Sequence, residues 1–200
     1  MRTQTVPLFL FDFDGTLTRE DSLFAFLKFV STPRTYRMGF LRFAPRMVLM
    51  KLGLLDAGPV KEAFIAHFLA GKTRQEIRTL ANRFYQEVLP GIMRPKAVKY
   101  LEVLASQPHR RLLVSASLDL WLQPFAEANK MELICTQAEF KDDVFTGKFA
   151  TPNCNGPEKA KRIQAYLNVS EYDQIFAFGD SKGDREMLAL GEGNLDAFQD

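Results

Sequence analysis

The sequence predicts an α/β fold: a Rossmann-like parallel sheet core flanked by helices, with an all-helical block inserted after the first strand and a small β-hairpin. Three observations carry this expectation. Short apolar runs at Val6–Phe11, Arg111–Ser115, Glu132–Thr136 and Gln174–Phe178 read as strands buried on both faces. Helical stretches near Pro95–Ser106, Leu118–Asn129 and Pro157–Leu167 separate these later strands. Between about residues 20 and 90 such runs are almost missing, and apolar residues recur at helical spacing in Leu23–Val30, Val60–Leu69 and Ile77–Val88.

The organisation follows. The α/β core is expected over residues 1–18 and 91–200, and the helical insert over 19–90, closed by Pro90-Gly91. Asp142-Asp143 and Thr146-Gly147 punctuate Phe140, Val144, Phe145 and Phe149, which predicts a hairpin within Glu139–Phe149. The 200 residues, 46% of them apolar, supply core enough for one such unit. Composition excludes collagen-like, disordered and disulfide-stapled classes, and a net charge of +2 gives no ground for nucleic-acid binding. Two cysteines, Cys135 and Cys154, fit a reducing, cytoplasmic compartment. The run Val6–Phe11 is too short for a secretory signal and ends in acid.

Ligands of open α/β sheets bind beyond the carboxyl ends of the strands, and four polar clusters fall there or next to such ends. They are Asp12–Thr18 after the first strand, Ser115-Ala116-Ser117 after the second, Gly156–Lys159 at the start of a helix, and Gly179–Asp184 after the last strand. Singly each has a plainer reading: Asp12, Asp14, Asp180 and Asp184 as turn or cap residues, Ser115 as a strand-end hydroxyl, Lys159 as a solvated lysine. Together, carboxylates and hydroxyls beside a lysine suit magnesium-dependent phosphoryl transfer. Mg²⁺ prefers a few carboxylates, waters and a substrate phosphate, and a carboxylate can attack phosphorus.

DFDGTLT at Asp12–Thr18 resembles the signature of the haloacid dehalogenase superfamily, and Ser115, Lys159 and GDSKGD at Gly179–Asp184 resemble its later motifs in order. The insert, NCNGPEKAKRI at Asn153–Ile163 and the hairpin are similar to the phosphoserine-phosphatase-like branch. The resemblance implies Asp12 as nucleophile and metal ligand, and Asp14 as general acid and base with its backbone carbonyl on the metal. It implies Ser115, Ala116, Lys159 and the amides near Phe13 and Asp14 as the phosphate cradle. Asp180 would bind Mg²⁺ directly and Asp184 would support it through water. The implied activity is hydrolysis of a small phosphate monoester such as phosphoserine, through an aspartyl-phosphate. Transfer to an alcohol and hydrolysis of a lipid phosphate remain open. A phospho-accepting receiver domain fits the Asp12/Asp14 spacing and the large insert poorly.

By the same resemblance the insert is a cap that selects the substrate. Glu20 and Asp21 read first as N-caps of a helix over Ser22–Val30, and second as acids for a substrate amino group. Tyr36–Leu55 is rich in Phe, Leu and Met but carries Arg37, Arg42, Arg46 and Lys51, which with Pro45 argue against a membrane span. A basic, apolar helical pair there fits either ordinary cap packing or peripheral contact with an anionic membrane through residues 36–55, and this stretch also looks like the caps of bacterial phosphatidylglycerophosphate phosphatases. Trp121 and Phe125 are expected in the core, His67 and His109 are too isolated for a zinc site, and Cys154 is expected to be a buried thiol. After Leu190 no strand pattern is visible, so the sheet is expected to be smaller at that edge or the C-terminus altered or incomplete.

Overall fold

The computed structural model describes residues 6–199. Among these the strands are β1 (Leu8–Phe11), β2 (Arg110–Leu118), β3 (Glu132–Thr136), β4 (Ala138–Lys141), β5 (Val144–Phe149), β6 (Ile175–Gly179) and β7 (Glu192–Leu195). Five form one parallel sheet in the order β3-β2-β1-β6-β7, while β4 and β5 pair as an antiparallel hairpin. The helices are α1 (Ser22–Val30), α2 (Pro33–Lys51), α3 (Ala57–Leu69), α4 (Arg74–Glu87), α5 (Leu89–Ile92), α6 (Pro95–Leu104), α7 (Asp119–Ala128), α8 (Pro157–Tyr166) and α9 (Arg185–Leu188).

The central strand explains the layering. Side chains alternate across a strand, so the run Leu-Phe-Leu-Phe sends Phe9 and Phe11 to one face and Leu8 and Leu10 to the other. Phe9 stacks on its register partner Phe176 at 5.0 Å between ring centres, and Phe11 on Phe178 at 4.9 Å. That face is covered by Ala97, Leu101 and Leu104 of α6 and merges with the core of the insert. Leu8 and Leu10 bury instead against Ile163, Leu167 and Met187. The chain leaves β1 for β2 on one side and returns to β6 on the other, so the carboxyl end of β1 lies at the switch point where such sheets hold ligands.

The insert enters and leaves through two adjacent crossings. The Arg19 amide donates to the Ile92 carbonyl and the Arg94 amide to that of Leu17, both at 2.8 Å. Beyond them, α1 is capped by Asp21, whose carboxylate accepts from the Leu23 amide at 2.9 Å. Thr73 and Glu76 form a capping box on α4. The hairpin packs on the insert: Phe145 exchanges backbone bonds with Gly71 and Lys72, and the Phe149 amide donates to the Glu62 carboxylate at 2.7 Å. Gly147 lies against Ala66 of α3 and its C-cap Ala70, where any side chain would collide.

Three sequence expectations are corrected. β2 does not end at Ser115 but continues to Leu118 past an irregularity in its pairing with β3, so Ser115 and Ser117 lie inside a strand. The sheet has a fifth strand after Leu190: Glu192–Leu195 pairs with β6, and being an exposed four-residue edge it needs no apolar run. Pro90-Gly91, read as the end of the insert, sits within the single turn of α5, just before the crossing at Ile92 and Arg94. In place of a helical pair in 36–55, one helix of 19 residues passes straight through Pro45.

Candidate active site

Asp12 leaves β1 with its amide bonded to the Phe178 carbonyl at 2.9 Å, and its side chain is buried. Lys159, in the first turn of α8 and 2% exposed, donates to Asp12 Oδ1 at 2.5 Å and to Asp184 Oδ1 at 2.6 Å. Asp12 Oδ2 accepts from the Thr16 hydroxyl at 2.9 Å. Asp184 is folded back on its own loop, its Oδ2 accepting from the Ser181 amide at 3.0 Å and the Ser181 hydroxyl at 2.8 Å. Gly179 makes this possible, because a side chain there would strike the Asp184 Cβ. Gly15, with φ +84°, turns the first motif so tightly that its α-carbon faces the Asp180 carboxylate with no room for a Cβ.

The result is a cluster in which one carboxylate oxygen each from Asp12, Asp180 and Asp184 lies within 4.8 Å of the others. Against three carboxylates stands one ammonium, Lys159. Burial, then the charges of Asp12 and Asp184, push Asp180 up to about 6. Burial likewise pushes Asp12 up to about 6, although Lys159 opposes it. Burial works against ionised Asp184 too, but Lys159 and the Ser181 bonds outweigh it and hold it below the usual carboxylate range. Burial would lower Lys159; Asp12 and Asp184 together keep it above its ordinary value. A buried oxygen-only set with two negative charges uncompensated is chemically matched to Mg²⁺. The Asp14 carboxylate is outside this cluster, and that of Asp184 is inside it.

Asp14 points the other way. Its Oδ1 accepts from the Ser22 amide at 2.6 Å and its Oδ2 from the Ser117 hydroxyl at 2.5 Å. Ser22 is in turn fixed by the Trp121 indole, which donates to its hydroxyl at 2.9 Å. Burial first, then the charge of Asp21, raises Asp14 to about 6. The Ser115 hydroxyl accepts from the Ser117 amide at 3.0 Å and is buried. Among the described residues the amides of Phe13 and Asp14 have no protein acceptor, so these donors are free beside Asp12.

Thus Asp12, Asp14, Ser115, Lys159, Asp180 and Asp184 converge, with Phe13 in the loop after β1 and Ala116 within β2. Sequence reasoning passed over Thr16, Ser22 and Ser117 as site residues, and took Trp121 as core alone. Thr16 and Ser117 lie inside the motifs themselves, and Ser22 is only eight residues from Asp14; the Trp121 bond to Ser22 spans 99 residues and carries no local signal. Of the remaining expectations, Asp21 does cap α1, and Cys135 and Cys154 are buried free thiols, Cys154 pushed by burial up to about 11. His67 sits among Phe43 and Phe68, and His109 against Phe9, each away from the carboxylates.

A cavity of about 650 Å³ opens between α1, α2 and α3, its wall including Asp21, whose charge also raises Asp14. Leu23, Phe24, Phe40, Met47 and Phe64 make its apolar wall, and its charged groups are Asp21, Lys51 and Lys61. Burial raises the pKa of Asp21 and Lys61 lowers it, so the two share one environment.

Protein CicA of Caulobacter vibrioides is 34% identical over 187 residues, covering 92% of this chain and 83% of that relative. In three dimensions the chain is similar to a Bordetella pertussis Tohama I protein described as of unknown function, with a TM-score of 0.81, 23% identity, and 93% and 87% of the two chains covered. A phosphoserine phosphatase, solved as an analogue of its phospho-aspartyl intermediate, matches with a TM-score of 0.65, 15% identity and coverage of 94% and 84%. These two likenesses establish the fold. The pattern of the haloacid dehalogenase-like hydrolases matches residues 9–189, from the middle of β1 to the end of α9. With the Asp12, Ser115, Lys159 and Asp180–Asp184 groups assembled at the end of one parallel sheet, the chain belongs to the haloacid dehalogenase-like hydrolase family.

Proposed function

We propose that the protein is a magnesium-dependent phosphatase that hydrolyses a phosphate monoester through an aspartyl-phosphate. The observation that carries the reading is the buried Asp12 carboxylate, held by Lys159 and Thr16 within 4.8 Å of Asp180 and Asp184 oxygens. An Asp12 oxygen attacks phosphorus, and the bond from phosphorus to the ester oxygen breaks. Asp14, placed across the loop by Ser22 and Ser117, gives its proton to the departing oxygen. It then takes a proton from the water that cleaves the aspartyl-phosphate, so phosphate leaves and both acids return to their starting state. Lys159, Ser115 and the free Phe13 and Asp14 amides bind the phosphoryl oxygens as charge shifts among them. Mg²⁺ held by Asp12, Asp180 and the Asp14 carbonyl, with Asp184 supporting, would neutralise that charge.

The cavity at Asp21 supports an ester whose organic part is largely apolar, as in a lipid phosphate. It is roomier than an amino-acid ester requires and its wall is mostly hydrocarbon. Phosphoserine is the second reading, favoured by Asp21 and Lys61, which offer partners for an ammonium and a carboxylate in that same cavity. The test is phosphate release from a panel of phosphoserine, sugar phosphates and detergent-dispersed lipid phosphomonoesters, with and without Mg²⁺. Magnesium-dependent turnover that Asp12→Asn abolishes is expected. Turnover retained by that variant would overturn the mechanism, and a preference for phosphoserine would select the second reading.

A further inference from the structure

The helix α2 is apolar on two opposite faces, unlike an ordinary surface helix. Gly39 and Phe43 are buried and Tyr36, Met47 and Met50 half-buried toward the rest of the insert. The opposite, outermost face carries Met38, Leu41, Pro45, Val48 and Leu52, at alternating spacings of three and four residues, all exposed. Met38 is 63% exposed, Leu41 72% and Leu52 67%; the loop that follows adds Leu54 at 68% and Leu55. A contiguous apolar ridge of this kind marks a contact surface.

Charge identifies what it contacts. Arg37 and Lys51 flank the ridge on one side and Arg42 and Arg46 on the other, with Arg34 at its start. No Asp or Glu occurs between Asp21 and Asp56. Among the described residues none of these five cations forms an ion pair. The three-four spacing would also suit pairing with a second copy of the helix, but that would set arginines against arginines. An apolar ridge bordered on both sides by unpaired Arg and Lys matches the boundary of an anionic bilayer, where hydrocarbon meets lipid phosphates. No helix among the described residues is long and apolar enough to cross a membrane, so such contact lies in the plane of the surface. Phe40 and Val48 are exposed on α2 and also line the cavity at Asp21, which places that cavity's rim beside the ridge.

We propose that the outward face of α2, with Leu54 and Leu55, seats the protein on an anionic membrane surface. The test is co-sedimentation of the full chain with vesicles of phosphatidylcholine alone or mixed with phosphatidylglycerol. Binding to the mixed vesicles is expected, weakened by salt and much weaker on phosphatidylcholine. In the double variant Leu41→Asp/Leu52→Asp it should fall by about tenfold or more. Both positions are outside the cavity and the carboxylate cluster, so the thermal melt and hydrolysis of a soluble phosphomonoester should be unchanged. Asp12→Asn should bind vesicles as the wild type does, which separates this inference from the catalytic one. No binding of the wild type to anionic vesicles, or binding the double variant retains, would overturn it. So would a wild-type dimer that the double variant converts to monomer, which would make the ridge a self-interface.

Discussion

Replacing Lys159 with methionine tests the electrostatic construction of the site. Methionine keeps the length and removes the ammonium, leaving Asp12 and Asp184 without the donor each holds at 2.5 and 2.6 Å. The side chains are 2%, 8% and 2% exposed for Lys159, Asp12 and Asp184, so water cannot replace the lost partner. Removing one member of a buried ion pair costs about 3–5 kcal/mol. Against a total stability of about 5–15 kcal/mol the variant still folds but melts early. With an m-value of about 2–3 kcal/mol/M, the urea midpoint in EDTA should drop by roughly 1–2 M.

The sign with pH is fixed by the same geometry. Asp12 already stands at about 6 when Lys159 is present, and loses its main opposing charge in the variant. A carboxylate whose folded-state value is raised contributes stability below its unfolded value, and loses it as pH rises through the folded one. The Lys159→Met deficit should therefore be large at pH 8 and shrink toward pH 5. Mg²⁺ should recover part of it at pH 8, stabilising the variant more than the wild type, because a cation then enters a site with three negative charges rather than two. Equal urea midpoints for the two proteins in EDTA at pH 8, or a deficit that does not change with pH, would refute the reasoning.

Other outcomes follow from single contacts. Asp14→Asn should lower turnover by about 10²–10⁴-fold while Asp12 is still phosphorylated, so acid-quenched protein should retain labelled phosphate. Trp121→Phe keeps most of the buried ring and removes the donor to Ser22; a loss of about 1 kcal/mol, read as a melting shift of about 2–4 °C, should accompany a lower kcat with little change in KM. Gly15→Ala, at φ +84° and facing the Asp180 carboxylate, should cost at least ~1–2 kcal/mol and raise the Mg²⁺ concentration needed for half-maximal activity. Cys135 and Cys154, buried and raised, should react with a thiol reagent only after denaturant is added.

The parts of this molecule legible in its sequence are those whose signal is local. β1 and β6 are apolar runs ending abruptly in Asp and Gly, and the chemistry that follows lies within a few residues of each strand end. β7 was not legible, because an edge strand is specified by pairing with β6 and tolerates Glu, Gly and Asn. The Ser22–Trp121 support of Asp14 was not legible because it joins two helices that meet only after the insert has folded back on the core. For α2 the sequence shows helical apolar spacing on two faces at once, and only packing decides that Phe43 turns inward and Leu41 outward.

The near-neutral net charge conceals a division that the structure reassigns. Residues 19–95 carry 13 Lys+Arg against 6 Asp+Glu, a net of +7, and the remainder of the chain −5. An acidic core suits a cation site, and a basic cap suggests a funnel for an incoming phosphate ester. The positions are more specific than that. Arg19 and Arg94 are spent on the crossings, donating to the Gly91 and Gly15 carbonyls, while Arg74 pairs with Asp143 and Arg83 with Glu87. Lys51 and Lys61 are the cations that line the cavity at Asp21. Arg34, Arg37, Arg42 and Arg46 surround an exposed apolar ridge. The excess of positive charge therefore belongs chiefly to a surface that α2 presents outward.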